Sequence, residues 1–142
     1  MIIAVEPFVP KSDGDFVAGV VRKYQPFLPR WVEHITVTID TDEESIAEIR
    51  VLEQYRRATI TLGRNWATSF TNLDQEALIL HELMHLYTTP VACMGKEALR
   101  AFFPDEETPG TRLAWDAIDR ACERATEDLA QMILRNRAEF GI

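Results

Sequence analysis

The chain is expected to fold as an α+β domain, with a small sheet built early and long helices placed late. Three segments of period-two alternation fall between residues 34 and 62, stretches of helical period flank them, and the last such stretch runs from Thr111 to about Ala138 without Gly or Pro. With 142 residues and 46% hydrophobic content, residues 1–142 suffice for one domain that buries an ordinary core without disulfides.

The elements follow in order. After a Pro-bounded start, Ser12 to Phe27 places Phe16, Val17, Val20, Val21 and Tyr24 at amphipathic-helix spacing. Ser12 or Asp13 is the expected cap, and Pro26 and Pro29 end the helix. His34 to Asp40 alternates Ile35, Val37 and Ile39 with Thr36 and Thr38, the pattern of a half-buried strand, and Asp40 to Glu44 is an acidic turn. Alternation resumes at Ile46, Ile49 and Val51 with one irregularity, then at Arg57 to Leu62 before Gly63. These runs predict a three- or four-stranded, mainly antiparallel sheet.

Asn72 to Asp74 supplies helix-capping side chains, and Asp74 to Tyr87 is an almost wholly apolar helix that Pro90 closes. A short helix is expected around Lys96 to Phe103, followed by the turn-rich stretch from Pro104 to Gly110. The last helix sets Leu113, Ala114, Ile118, Ala121, Cys122, Ala125, Leu129, Met132 and Ile133 along one apolar face.

Composition narrows the function. A net charge of −8 with no segment that concentrates Lys and Arg argues against a nucleic-acid partner and against anionic membranes. Met1 to Pro7 has no basic region and too short an apolar run for a signal peptide, and no stretch approaches the ~18 apolar residues of a membrane span. A cytoplasmic protein with Cys93 and Cys122 as free thiols is the resulting expectation. Trp31, Trp66 and Trp115, with Phe102 and Phe103, read as packing residues.

One pentapeptide carries chemistry. His81-Glu82-Leu83-Met84-His85 spends two of the three histidines of the chain, and four-residue spacing on a helix aims both imidazoles the same way. Burying two rings and a carboxylate in an apolar helix costs free energy unless they find partners, and a divalent cation satisfies all three. Glu82 then sits beside the ion as a general base.

A catalytic zinc takes three protein ligands and leaves a position open for water. No histidine follows His85, so a downstream third histidine is excluded unless His34 reaches across from its strand. No cysteine precedes Leu83, which disfavours a Cys-His-His site. Oxygen donors on the last helix remain, where Glu123 and Glu127 lie four residues apart on one face. Such a pair makes sense if Glu123 binds the metal and Glu127 holds a ligand histidine through its other ring nitrogen. Glu127 and Asp128 stay as alternative ligands.

His-Glu-x-x-His followed on a later helix by Glu123-x-x-x-Glu127-x-Leu129-Ala130 resembles the gluzincin metallopeptidases. The small size and the preceding strands are similar to the minimal, often phage-encoded minigluzincins, over roughly Arg56 to Leu134. The resemblance implies a zincin-like fold and a Zn2+-dependent hydrolase acting on a peptide or protein. His81, His85 and Glu123 would be the ligands, Glu82 the general base and acid, and Arg57, Ala58, Thr59, Ile60, Thr61 and Leu62 the edge strand that receives the peptide.

Departures from the pattern are specific. Larger gluzincins carry a downstream His or Tyr for the oxyanion, whereas here the last of each are His85 and Tyr87, which leaves arginines such as Arg112 or Arg120. Cys122 replaces the usual Asn before the ligand Glu, and Glu127 the usual Asp after it. A zinc-binding regulatory or interaction protein without turnover is the competing expectation. Phe102-Phe103-Pro104 is a candidate lid, and Phe140-Gly141-Ile142 a segment that would fold back on the cleft.

Overall fold

The computed structural model describes residues 1–68, 71–103 and 108–141, apart from the side chains of Asn72 and Leu73. Four strands, β1 (Ile2–Val5), β2 (His34–Asp40), β3 (Ala47–Leu52) and β4 (Arg57–Gly63), combine with three helices, α1 (Lys11–Tyr24), α2 (Asn72–Phe102) and α3 (Pro109–Phe140). The architecture is α+β, as expected. No helix among the described residues is long and apolar enough to cross a membrane.

The sheet order is β1-β2-β4-β3. β2 pairs in parallel with both β1 and β4, and β3 is antiparallel to β4. The sheet is therefore mixed rather than mainly antiparallel. Alternation marks a strand but not its neighbour. β3 turns back through a 3-10 turn, Glu53–Tyr55, and Arg56 in the left-handed region (φ 55°), so β4 inserts beside β2 and leaves β3 at the edge. The uniformly apolar Ile2–Val5 has no alternation to announce it and becomes the opposite edge.

Ile35, Val37, Ala58, Ile60 and Leu62 are buried, while Thr36, Thr38, Thr59 and Thr61 on the other face are half-buried. The buried residues join Val17, Val21 and Tyr24 of α1 and Ile79, Leu80, Leu83, Met84 and Leu86 of α2 in one core. Each such side chain contributes about 1.5–3 kcal/mol by leaving water. Gly63 ends β4 where a Cβ would stand 1.8 Å from the carbonyl oxygen of Ser45, so only glycine lets the start of β3 close on the sheet.

Four helix boundaries differ from expectation. α1 starts at Lys11 after Pro10, without a side-chain cap from Ser12 or Asp13, and ends at Tyr24 before a 3-10 turn at Gln25–Phe27. α2 starts after Thr71, which exchanges capping hydrogen bonds with Asp74. It also passes through Pro90 instead of ending there, absorbing the separate helix expected at Lys96 to Phe103. An interior proline costs roughly 3 kcal/mol, which contacts with α3 offset: Thr88 hydrogen-bonds Thr126 and Lys96 pairs with Asp119.

α3 begins at Pro109 with Thr108 as cap and ends at Gly141, whose φ of 73° suits a residue without a side chain. Its buried residues are Thr111, Thr126, Ala130 and Ile133. Leu113 and Met132 of the expected apolar face are 64% and 48% exposed. From Val91 to Phe103 on α2 and from Arg112 to Ala125 on α3 no residue is buried, so these halves of the helices stand off the core.

Candidate metal centre

His81 and His85 lie one turn apart on α2, their ring centroids 5.1 Å from each other, and the carboxylate of Glu123 on α3 spans them. Glu123 Oε2 is 3.6 Å from His81 Nε2, and Oε1 is 3.6 Å from His85 Nε2. These separations are too long for hydrogen bonds. They approach the roughly 3.3 Å between two ligands that each stand about 2.0–2.1 Å from a tetrahedral zinc. Among the described residues, His81, His85 and Glu123 are the group with donor atoms close enough to share an ion.

The far side of each ring sets its tautomer. His81 Nδ1 is 3.0 Å from Glu127 Oε2, an acceptor only, so the nitrogen carries the proton and Nε2 presents a lone pair. Gln131 donates to the other oxygen of Glu127 at 3.0 Å and holds the carboxylate in place. His85 Nδ1 faces Thr126 Oγ1 at 3.3 Å and Thr88 Oγ1 at 3.5 Å. Thr126 is fully buried and donates its proton to the carbonyl of Cys122, which leaves its lone pairs to accept from His85 and from Thr88. Burial, partly countered by Glu123 and reinforced by neighbouring His81, holds His85 below the usual imidazole range and favours the neutral form that ligates. Two outward lone pairs and a carboxylate thus fit a zinc ion.

Glu82 is 9% exposed and packs between α2 and β3. Its Oε2 accepts the Ile49 N–H at 3.0 Å, and among the described residues Oε1 has no hydrogen-bond donor. Burial pushes its carboxyl up to about 7 against the lowering effects of His81 and the Ile49 N–H, with Glu123 and Glu48 adding to the rise. Because Ile46 O pairs with Gly63 N, alternate residues of β3 turn outward, and the bond from Ile49 to Glu82 shows that this free edge faces the site. β4, by contrast, is paired on both sides, so Arg57 to Leu62 cannot be the edge strand that receives a peptide. β3 is the sheet edge beside the cluster.

A cleft follows β3 on both sides of the cluster. One cavity of about 410 Å³ runs past Glu48, Ile49 and Thr89 towards Lys96 and Asp119. A second of about 410 Å³ shares His81 and Glu82 and runs past Ile46 and Leu78 towards Asp74.

Other expected residues fall elsewhere. His34 on β2 pairs across the sheet with Ile2 and Arg57 and is outside the cluster. Asp128 is exposed and also outside it. Arg112 and Arg120 are exposed and line neither cavity; among the described residues, the cation that lines the cleft is Lys96. Cys93 and Cys122 are free thiols, and both line the first cavity.

Trp66 is buried and Trp31 and Trp115 are half-buried, but Phe102 and Phe103 are 79% and 58% exposed and line neither cavity of the cleft, so they do not cover it. Pro104 of the expected lid and Ile142 of the expected tail lie outside the described residues. Phe140 meets Phe27 edge-on at 5.0 Å, which anchors the end of α3 there rather than in the cleft.

Sequence reading missed Thr88, Thr126 and Ile49. Thr126 follows Glu123 by three residues and so shares its helical face, a signal that pointed to it; the role of Ile49 depends on the strand order. No protein-family model, curated protein or solved structure matches the chain, so the geometry of this cluster carries the functional argument.

Proposed function

We propose that the chain is a zinc-dependent metallopeptidase of the gluzincin type with a zincin-like fold, acting in the cytoplasm on a peptide or protein. The observation that carries the reading is the convergence of two lone-pair nitrogens and one carboxylate beside a buried Glu82 on the free edge of a strand. Zinc held by His81, His85 and Glu123 would acidify a water molecule and polarise a carbonyl. Glu82 Oε1 would accept a proton from the attacking water and return it to the leaving amine as the C–O bond forms and the C–N bond breaks. Ala47 and Val51 share the outward phase of Ile49, so their backbone groups hold an extended peptide beside the site.

Glu82→Gln is expected to retain stoichiometric zinc by elemental analysis while peptide-library cleavage falls at least about 100-fold. His81→Ala should lose both. A Glu82→Gln variant as active as the wild type overturns the mechanism.

One observation favours a second reading, a zinc-binding regulatory or interaction protein. Among the described residues that line the cleft there is no Arg, Tyr or third His. Lys96 lies eleven residues beyond His85, about 16 Å along the helix, and is paired with Asp119 at 2.5 Å. Zinc-loaded wild type that cleaves no library peptide selects this reading.

A further inference from the structure

The halves of α2 and α3 that stand off the core carry an apolar face across the helix seam from the metal cleft. On α2, Val91, Met94 and Phe102 are 68, 69 and 79% exposed and form a ridge with Ala98. No charged residue lies between His85 and Lys96 to break it. Beside the ridge runs a trough of about 460 Å³, walled by Ile118 and floored by the small residues Ala92, Gly95, Ala121 and Ala125.

We propose that a second copy of this chain covers the face, related by a two-fold axis that seats the ridge of each copy in the trough of the other. A ridge next to a trough on one surface is self-complementary, as a two-fold interface requires. The area also agrees. The exposed ridge, Tyr87 and the trough offer on the order of 600 Å² of apolar surface, the upper end of what a monomer leaves bare. A standard interface buries about 800 Å² per partner, and the neighbouring polar residues Arg124 and Asp128 supply the remaining rim. Small residues in the trough let the helices approach closely, so the paired copies form a four-helix bundle. Both metal clefts stay open, on the far side of each helix pair.

Sedimentation equilibrium on the full chain at concentrations up to roughly 100 μM tests this. The expected mass is twice the 16.3 kDa of one chain. Ala121→Glu fills and charges the trough, and Val91→Lys charges the ridge; each should weaken association about 100-fold. Both positions are exposed, so the circular dichroism spectrum should keep its helical shape. Wild type that stays monomeric throughout overturns the proposal, as does a dimer that neither substitution weakens. The outcome is independent of peptidase activity.

Discussion

Replacing Thr126 with valine removes the hydroxyl behind one ligand, together with its 2.7 Å bond to Thr88, without touching a ligand. Valine keeps the shape of the buried side chain, so no cavity opens, and the Cys122 carbonyl retains the backbone hydrogen bond of the helix. What disappears is the oxygen 3.3 Å from His85 Nδ1, leaving Thr88 at 3.5 Å as the hydroxyl beside that nitrogen among the described residues. A buried N–H left without a good acceptor costs about 1–3 kcal/mol. The metal-free protein avoids this by moving the proton to Nε2, which faces Glu123, whereas a metal on Nε2 forbids that escape. The penalty therefore falls on the zinc-bound form and weakens affinity about tenfold to a hundredfold.

A competition titration against a chromophoric chelator measures the change. Thr126→Ser, which keeps the oxygen, should stay within about threefold of the wild type. Zinc affinity of Thr126→Val equal to that of the wild type would refute the assignment of His85 Nε2 as a ligand atom held by its Nδ1 partner.

Glu127→Gln should weaken zinc less than Glu127→Ala, because the amide oxygen still accepts from His81 Nδ1; the same titration ranks them, and equal affinity for both and for wild type counts against the role of Glu127. Zinc at 100 times its dissociation constant should add about 2.7 kcal/mol to unfolding free energy, seen as a higher melting temperature that chelator reverses. Gly63→Ala must displace the Ser45 carbonyl and should cost about 1–3 kcal/mol or more in denaturant melts. Glu76 gives a pH test. Burial alone would raise its carboxyl, but Lys23 at 2.8 Å, Tyr24 at 2.5 Å and the charge of Arg137 outweigh this and hold it below its ordinary 4.5. A depressed acid stabilises the fold above its unfolded value and loses that contribution as pH falls through the folded value. Glu76→Gln should thus cost about 1–3 kcal/mol near neutrality, with the gap to wild type closing as pH falls from the unfolded value through the lower folded one.

What the sequence disclosed and what it concealed divide along a physical line. Local patterns were legible: the alternation at His34–Asp40 and Arg57–Gly63 became strands, and the spacing of His81 and His85 put both rings on one face. Features set by partners distant in the chain were not. Strand order depends on where β4 inserts, so the edge was assigned to Arg57–Leu62 when it belongs to β3. Pro90 is a local stop signal that contacts with α3 override. The apolar stripe of α3 is continuous in sequence, yet from Arg112 to Ala125 none of it is buried.

The metal cluster shows why helical phase alone could not choose its third ligand. Two histidines four apart on α2 meet two glutamates four apart on an antiparallel α3, and equal spacings make every pairing compatible with phase. Register decides. Thr88 against Thr126 and Lys96 against Asp119 lock the helices so that Glu127 falls behind His81 while Glu123 falls between the two Nε2 atoms. A slip of one turn is about 6 Å along the axis, enough to bring Glu127 into the ligand position and strip His81 of its support. The four-residue repeat thus supplies a carboxylate in either register, but only the observed one supplies both a ligand and an anchor. The seam contacts at Thr88 and Lys96, neither of them a ligand, are consequently part of how this chain specifies a metal site.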